Sequence, residues 1–221
     1  MSSARRETMG RLKAVLDKSH NPTVRLSTAD QRIKDLPPAL IPKRGQADMA
    51  ARTKTFVAEA KFAVAEVVEL SALSQVPDAM KKILADAGAT RLKATPHKQV
   101  QGLDWSGVEI SYGRGEGSDP VGLSVAYAGV AETGTLVLRS APDSPTTLNF
   151  LPDVHVVILH STKIEANYEA VWARLRSGEG GLPRTVNWIT GPSRTADIEQ
   201  TILLGAHGPR KLVILLVDEN A

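Results

Sequence analysis

The chain has 221 residues, of which 42% are hydrophobic and 4% aromatic, and 27 basic residues against 24 acidic ones give it a formal net charge of +3. This length predicts one compact domain with a sizeable core, while the nearly balanced charge and the few aromatic side chains argue against nucleic-acid binding. Because the chain contains no cysteine, it forms no disulfide, has no thiol nucleophile and holds no iron–sulfur cluster through its own thiolates.

Residues 1–45 are predicted to form an N-terminal helix followed by an extended arm. The first 16 residues suit an amphipathic helix, whereas residues 19–44 are rich in Pro, Lys and Asp and show little periodicity. The apolar residues of the arm are expected to pack on the rest of the chain or on a second subunit. No signal peptide and no apolar run of the roughly 20 residues that span a bilayer is found, so we expect a cytoplasmic protein.

From residue 47 onward the pattern alternates between helices and strands. It predicts helices over residues 47–59, 76–87, 164–175 and 195–204, and strands over residues 62–68, 90–93, 154–160, 185–189 and 212–217. Between residues 105 and 139 it predicts only short strands separated by glycine-rich turns. This order predicts a single α/β domain over residues 46–221, with a mostly parallel sheet flanked by helices.

The turn between the strand over 185–189 and the helix over 195–204 holds the strongest concentration of polar groups. Gly191 suits a tight turn, and Ser193 or Thr195 can cap the helix. In open α/β sheets ligands bind at the carboxyl ends of strands, and free N–H groups at a helix start attract anions. Arg194 adds a guanidinium group that can clamp a carboxylate or a phosphate.

The same segment allows a simpler interpretation. Asp197 and Glu199 fall in the first turn of the predicted helix, where they complement the positive end of the helix dipole. His207 falls at the other end of that helix, roughly 15 Å from its start. We therefore expect His207 to lie far from Arg194, at a C-cap, a subunit contact or a second site.

A second polar turn, residues 131–135, joins two of the short strands. Glu132 in this turn can act as a base or bind a ligand hydroxyl, or it is simply an acid beside a sharp turn at Gly134. His155 and His160 belong to one strand, and their spacing places them on opposite faces, so they do not form a metal pair. No metal-ligand spacing is found elsewhere in the chain, so no metal ligands are assigned, and whether a metal binds at Asp197 or Glu199 is left open.

Residues 131–138, 151–155, 191–199 and 205–209 together resemble the lactate-utilisation protein C family, whose members carry the LUD domain. The resemblance implies a fold like that of the glucosamine-phosphate isomerase, ribose-phosphate isomerase and CoA-transferase group. It also implies a role as the non-redox subunit of a system that oxidises L-lactate, alongside iron–sulfur partner proteins. The chain itself is then expected to carry no cofactor.

The candidate site follows from these motifs. Glu132 is the catalytic candidate, and His207 is assigned to a partner contact or second site. The candidates for binding a small anion or a partner are Thr133, Gly134, Thr135, His155, Gly191, Ser193, Arg194, Thr195, Asp197 and Glu199. An alternative is a freestanding enzyme acting on a sugar phosphate, an acyl-CoA or a folate with Glu132 as base or nucleophile, and a third is a regulatory or scaffold protein. The sequence leaves open whether the chain is an enzyme.

Overall fold

The computed structural model describes residues 3–19, 22–35, 41, 47–178, 181–195 and 203–218. Its contacts divide the chain into two compact units, Met1–Leu40 and Ile41–Ala221. The first unit contains helix α1 (Ser3–Ser19), where the amphipathic helix is predicted, and helix α2 (Pro22–Asp35). Helix α2 corrects the extended arm expected there. Pro22 occupies its first position, where the fixed φ of proline suits a helix and no N–H is needed.

The second unit contains four α-helices among its described residues: α3 (Met49–Phe62), α4 (Val76–Asp86), α5 (Lys98–Gln101) and α6 (Tyr168–Ser177). Asp48 caps α3 by accepting a hydrogen bond from the Ala51 N–H at 2.8 Å. Asn167 caps α6 in the same way, so this helix begins four residues later than predicted. No helix in the described part of the chain is long and apolar enough to cross a membrane.

The strands are short except for two. In chain order they are β1 (Glu66–Leu70), β2 (Arg91–Ala94), β3 (Glu109–Tyr112), β4 (Val121–Val125), β5 (Ala128–Val130), β6 (Thr135–Arg139), β7 (Val154–His160), β8 (Ile164–Glu165), β9 (Val186–Ile189), β10 (Arg194–Thr195), β11 (Leu203–Leu204) and β12 (Lys211–Val217). As predicted, residues 105–139 contain strands and no helix.

Six of these strands form a central parallel sheet in the order β1-β12-β7-β4-β2-β3. The two long strands β7 and β12 lie side by side, with Val156 opposite Val213, and both are buried along nearly their whole length. This agrees with their nearly continuous apolar sequences, which are typical of strands covered on both faces. The mostly parallel α/β architecture is therefore confirmed.

A smaller mixed sheet, in the order β8-β5-β6-β9, covers one face of the central sheet together with α3. Alternate residues of β7 point to opposite faces. Val156 and Ile158 therefore pack in the cluster that includes α4, whereas Val157 and Leu159 pack beneath the smaller sheet. A third apolar cluster lies between the smaller sheet and α6. The second unit thus stacks its elements in layers that bury both faces of the central sheet.

The helix predicted over residues 195–204 is wrong at both of its ends. Arg194–Thr195 and Leu203–Leu204 are the short strands β10 and β11, which pair with each other in an antiparallel register. Residues 196–202 lie outside the described residues. The strand pair is closed by the Gly205 N–H, which donates to the Ser193 carbonyl oxygen at 3.0 Å. Such strand pairing is a tertiary contact, which the helical spacing of apolar residues does not reveal.

Candidate functional site

A cavity of about 260 Å³ lies at the amino ends of β7 and β12, beside the end of β9. Four of the predicted site residues line it: His155, Gly191, Ser193 and His207. Phe150, Trp188 and Leu212 supply apolar parts of the wall. A concave apolar pocket with a few converging polar groups is the usual form of a small-molecule site.

Ser193 joins the turn after β9 to the loop between β11 and β12. Its N–H donates to the Pro209 carbonyl oxygen at 2.9 Å, and its hydroxyl accepts a hydrogen bond from the His207 N–H at 3.3 Å. The expectation that His207 lies far from Arg194 is therefore wrong, because His207 is hydrogen-bonded to the neighbour of Arg194. The expectation rested on a straight helix between the two residues, and the chain there instead begins and ends as a strand pair.

Gly191 is required by the way its turn meets α3. Its φ is +74°, and a Cβ atom built there would lie 2.0 Å from the Ala63 carbonyl oxygen. Only glycine fits such an approach of two backbones. Val64, the next residue after this carbonyl, also has a positive φ of 68°, which is rare for a β-branched residue. The tight turn predicted at Gly191 is thus held against a strained end of α3.

His155 is 1% exposed and belongs to a chain of buried polar groups. The Ser124 hydroxyl donates to Asn149 Oδ1 at 3.2 Å, and His155 Nε2 lies 3.1 Å from the Ser124 oxygen. Because the one proton of the serine hydroxyl is used for Asn149, we assign the imidazole proton to Nε2. His155 Nδ1 then carries a lone pair, and it has no partner among the described residues.

Burial lowers the pKa of His155 to about 3, because the charged imidazolium would lose its hydration. The ring is therefore neutral at neutral pH. A neutral ring with this low pKa is a poor base. Its Nδ1 is a buried hydrogen-bond acceptor in a residue that lines the cavity.

Glu132 lies in the turn between β5 and β6 and is not among the residues that line the cavity. It is 7% exposed, and its Oε2 has no hydrogen-bond partner among the described residues. The neighbouring hydroxyl groups do reach the cavity wall. Thr135 Oγ1 lies 2.6 Å from Thr190 Oγ1, and it also contacts Thr133 Oγ1 and the Tyr168 hydroxyl at 2.7 and 2.9 Å. Thr190 lines the cavity.

The remaining predicted residues are placed differently from the expectation. Arg194 is exposed on β10 and does not line the cavity, and Thr195 is buried in the same strand. Asp197 and Glu199 lie outside the described residues. Since Thr195 belongs to a strand, no helix start is formed there, and the anion site expected at that helix start is corrected accordingly.

The Gly191 turn does not lie at the carboxyl end of a strand of the central parallel sheet, which is where ligands bind in open α/β sheets. Strand β9, which leads into it, belongs to the smaller sheet and pairs with β6 in an antiparallel register. The cavity therefore lies at the amino edge of the central sheet. Sequence reasoning missed Ser124 and Asn149. The pairing of β4 with β7 brings Ser124 next to His155, and Asn149 accepts a hydrogen bond from Ser124.

Trp188 is also a member of the site that sequence reasoning did not select. Its ring packs against Tyr168 and Trp172, with centroids 5.1 and 5.2 Å away. These tilted aromatic contacts fix the wall at the end of β9. Within the described residues, no group of three or more His, Asp or Glu side chains is arranged to hold a metal ion.

Comparison with known proteins gives related sequences for the C-terminal half. Residues 118–217 match the LUD domain family. An uncharacterized protein of Neisseria meningitidis serogroup B is 44% identical over 96 residues, which are 43% of this chain and 41% of that protein. A protein named lactate utilization protein C in Shouchella clausii is 34% identical over 102 residues, or 45% of this chain and 44% of that protein.

A second protein of that name, from Bacillus subtilis, is 32% identical over 103 residues, which are 45% of this chain and 43% of that protein. The matched segment therefore spans less than half the length of these curated relatives. A crystal structure of a DUF162 family protein from Deinococcus radiodurans superposes with a TM-score of 0.56, at 23% identity, over 77% of this chain and 99% of that chain. This likeness shows a shared fold.

Proposed function

We propose that this chain has a role in lactate utilisation. Residues 118–217 match the LUD domain family, and proteins named lactate utilization protein C are similar to the same part of the chain. One observation links the sequence resemblance to a particular site in the structure. Three of the four segments that resemble the lactate-utilisation protein C family meet at the cavity, through His155, through Gly191 and Ser193, and through His207. The fourth segment reaches the cavity wall through the hydrogen bond between the hydroxyl groups of Thr135 and Thr190.

The chemistry assigns electron transfer to partner proteins. Oxidation of L-lactate to pyruvate removes two electrons and two protons, so the system needs an electron acceptor. Because the chain has no cysteine, it cannot hold an iron–sulfur cluster through thiolates. We therefore assign the clusters to partner subunits and a non-redox role to this chain.

The cavity is suited to a small hydroxylated ligand. His155 Nδ1 is a buried acceptor without a partner among the described residues, and leaving such an atom unpaired is unfavourable. The hydroxyl group of a 2-hydroxy acid such as L-lactate is a donor that would satisfy it. A volume of about 260 Å³ also favours a small molecule over a nucleotide or a coenzyme.

The subunit role is tested by purifying the tagged protein from native cells grown on L-lactate. We expect cysteine-rich iron–sulfur chains to co-purify and the preparation to oxidise L-lactate. The same purification from cells grown without lactate is the control. A solitary protein in both cultures would reject the subunit role, and activity of that solitary protein would favour the freestanding enzyme.

The ligand role of the cavity is tested separately, by isothermal titration of the purified full-length chain with L-lactate. We expect saturable binding that His155→Gln weakens by about tenfold or more, because one buried hydrogen bond is lost. His160→Gln is the matched control, since His160 lies on the same strand and does not line the cavity. Equal binding by His155→Gln and the unaltered chain would remove the cavity from the proposal.

A further inference from the structure

A second cleft, of about 330 Å³, lies at the opposite edge of the central sheet. Val125 at the end of β4 and His160 at the end of β7 form its floor, and Arg139, Lys163 and Arg174 are among its walls. This is the carboxyl edge of the parallel strands, where ligands bind in open α/β sheets. None of the residues that the sequence selected as site candidates lines this cleft.

The cleft has an excess of positive charge. Three of its lining residues, Arg139, Lys163 and Arg174, are cationic at neutral pH, and Asp143 is the carboxylate among the residues that line it. Asp143 lies 3.8 Å from His97, and Arg174 is paired with Glu165 at 3.4 Å. Arg139 and Lys163 form no ion pair within the described part of the chain. Their charges are therefore available to a ligand.

Tyr127 holds the two arginines in place. Its ring centroid lies 4.7 Å from the guanidinium carbon of Arg139 and 4.6 Å from that of Arg174. The tyrosine hydroxyl donates to the Arg174 carbonyl oxygen at 3.3 Å, which fixes the ring against α6. The negative ring face stabilises a nearby cation. One ring thus keeps two planar donor groups in the same cleft, although like charges repel each other.

We propose that this cleft binds a small oxyanion with two or more negative charges, such as a phosphate group or a dicarboxylate. Guanidinium groups match the geometry of both kinds of oxyanion with paired hydrogen bonds. A dianion offsets both unpaired charges, those of Arg139 and Lys163, whereas a monoanion leaves one of them uncompensated. The proposal is independent of the proposed function, because L-lactate and pyruvate each carry a single negative charge.

The test is isothermal titration of the full-length chain with inorganic phosphate, malonate and L-lactate, at pH 7.5 and at an ionic strength held constant with sodium chloride. We expect saturable binding of phosphate, malonate or both that is at least about tenfold tighter than any binding of L-lactate to the His155→Gln variant. This variant removes the contribution of the first cavity. Comparing phosphate with malonate shows whether the cleft prefers a phosphate group or a dicarboxylate.

Two variants locate the binding. Lys163→Gln removes a cation that forms no ion pair with the described residues, so folding should be unchanged. The dianion should bind this variant about tenfold more weakly. Arg139→Gln should have the same effect. Lys82→Gln, on the exposed side of α4 and outside the cleft, is the matched control and should bind like the unaltered chain.

The proposal is rejected if phosphate and malonate bind no better than chloride. It is also rejected if Lys163→Gln and Arg139→Gln bind as tightly as the unaltered chain, or if Lys82→Gln weakens binding to the same extent. Failure of L-lactate binding or of partner co-purification would leave this result unaffected, so the two proposals can fail separately.

Discussion

At the scale of single residues, burial decides the chemistry of His155. The same imidazole on the surface would titrate near neutral pH and could act as a base. In the cavity wall, burial lowers its pKa to about 3, and its hydrogen bond with Ser124 orients the ring. The residue is therefore suited to accept a hydrogen bond, and a role in proton abstraction is not supported.

This environment predicts a pH-dependent stability. The pKa of His155 is about 3 in the folded chain and near 6.5 when unfolded, so the unfolded state binds the extra proton between these values. Stability is therefore full above pH 6.5 and falls as the pH is lowered towards 3, by up to about 1.4 kcal/mol per pH unit. Urea unfolding at pH 7 and pH 5 should show a loss of about 2 kcal/mol from this residue.

The contribution of His155 is isolated by comparing the unaltered chain with His155→Gln. Other groups titrate in both proteins, whereas the proton uptake of the imidazole is absent from the variant. The variant should therefore lose about 2 kcal/mol less between pH 7 and pH 5. The same loss in both proteins would show that His155 is protonated in the folded state, contrary to the assigned neutral ring.

At the scale of elements, the turns follow from particular glycine residues. Gly88 ends α4 with a φ of +61°, as predicted, and Gly134 forms the β5–β6 turn with a φ of +63°. These two positions share one backbone conformation but differ in their surroundings. A Cβ atom at Gly88 would meet nothing within 4 Å, whereas one at Gly134 would lie 2.2 Å from the backbone nitrogen of Ala60 in α3.

The pair Gly88→Ala and Gly134→Ala separates conformational strain from packing. Gly88→Ala should cost about 1 kcal/mol of unfolding free energy, because alanine disfavours a positive φ. Gly134→Ala should cost about 2 kcal/mol more, because α3 has to move away from the turn. Urea unfolding of both variants measures the difference. Equal losses would mean that α3 adjusts without cost and that the turn is not held by that contact.

The helix predicted over residues 195–204 shows how tertiary contacts can override the local preference of a segment. Its apolar residues recur at helical spacing, and Ser193 and Thr195 are good capping residues, so the sequence favours a helix. The described ends of the segment instead pair as β10 and β11, and Ser193 hydrogen-bonds to the loop that contains His207. Such contacts join distant residues and override local preference.

At the scale of the whole molecule, the three apolar clusters lie within residues 56–217. A chain of residues 46–221 is therefore expected to fold cooperatively, with a thermal midpoint within about 5 °C of that of the full chain. Tryptophan fluorescence is the suitable measurement, because Trp105, Trp172 and Trp188 all belong to this part.

The full-length chain, measured in parallel, is the control for this truncation. Aggregation, a non-cooperative transition or a much lower midpoint would show that residues 1–45 are needed for folding of the second unit. Until such a measurement is made, the domain division between residues 45 and 46 stays a prediction.

Local sequence patterns were enough to predict the mostly parallel α/β architecture and the resemblance to the LUD domain family. The long apolar strands β7 and β12, the cap after α4 and the strand-rich stretch between residues 105 and 139 are all local patterns, and the structure confirms them. The resemblance to the lactate-utilisation protein C family, based on short ordered motifs, is confirmed by the match of residues 118–217.

Which residues share a site depends on contacts between distant parts of the chain. Strand pairing places Ser124 beside His155, and the Ser193 hydrogen bonds bring His207 to the same cavity. The second cleft, at the carboxyl edge of the sheet, combines Tyr127, Arg139 and Arg174, which come from a loop, a strand end and a helix. The physical reason is the range of the interactions: capping, turn formation and burial periodicity depend on neighbours in the chain, whereas a site is assembled by contacts between residues that are far apart in sequence.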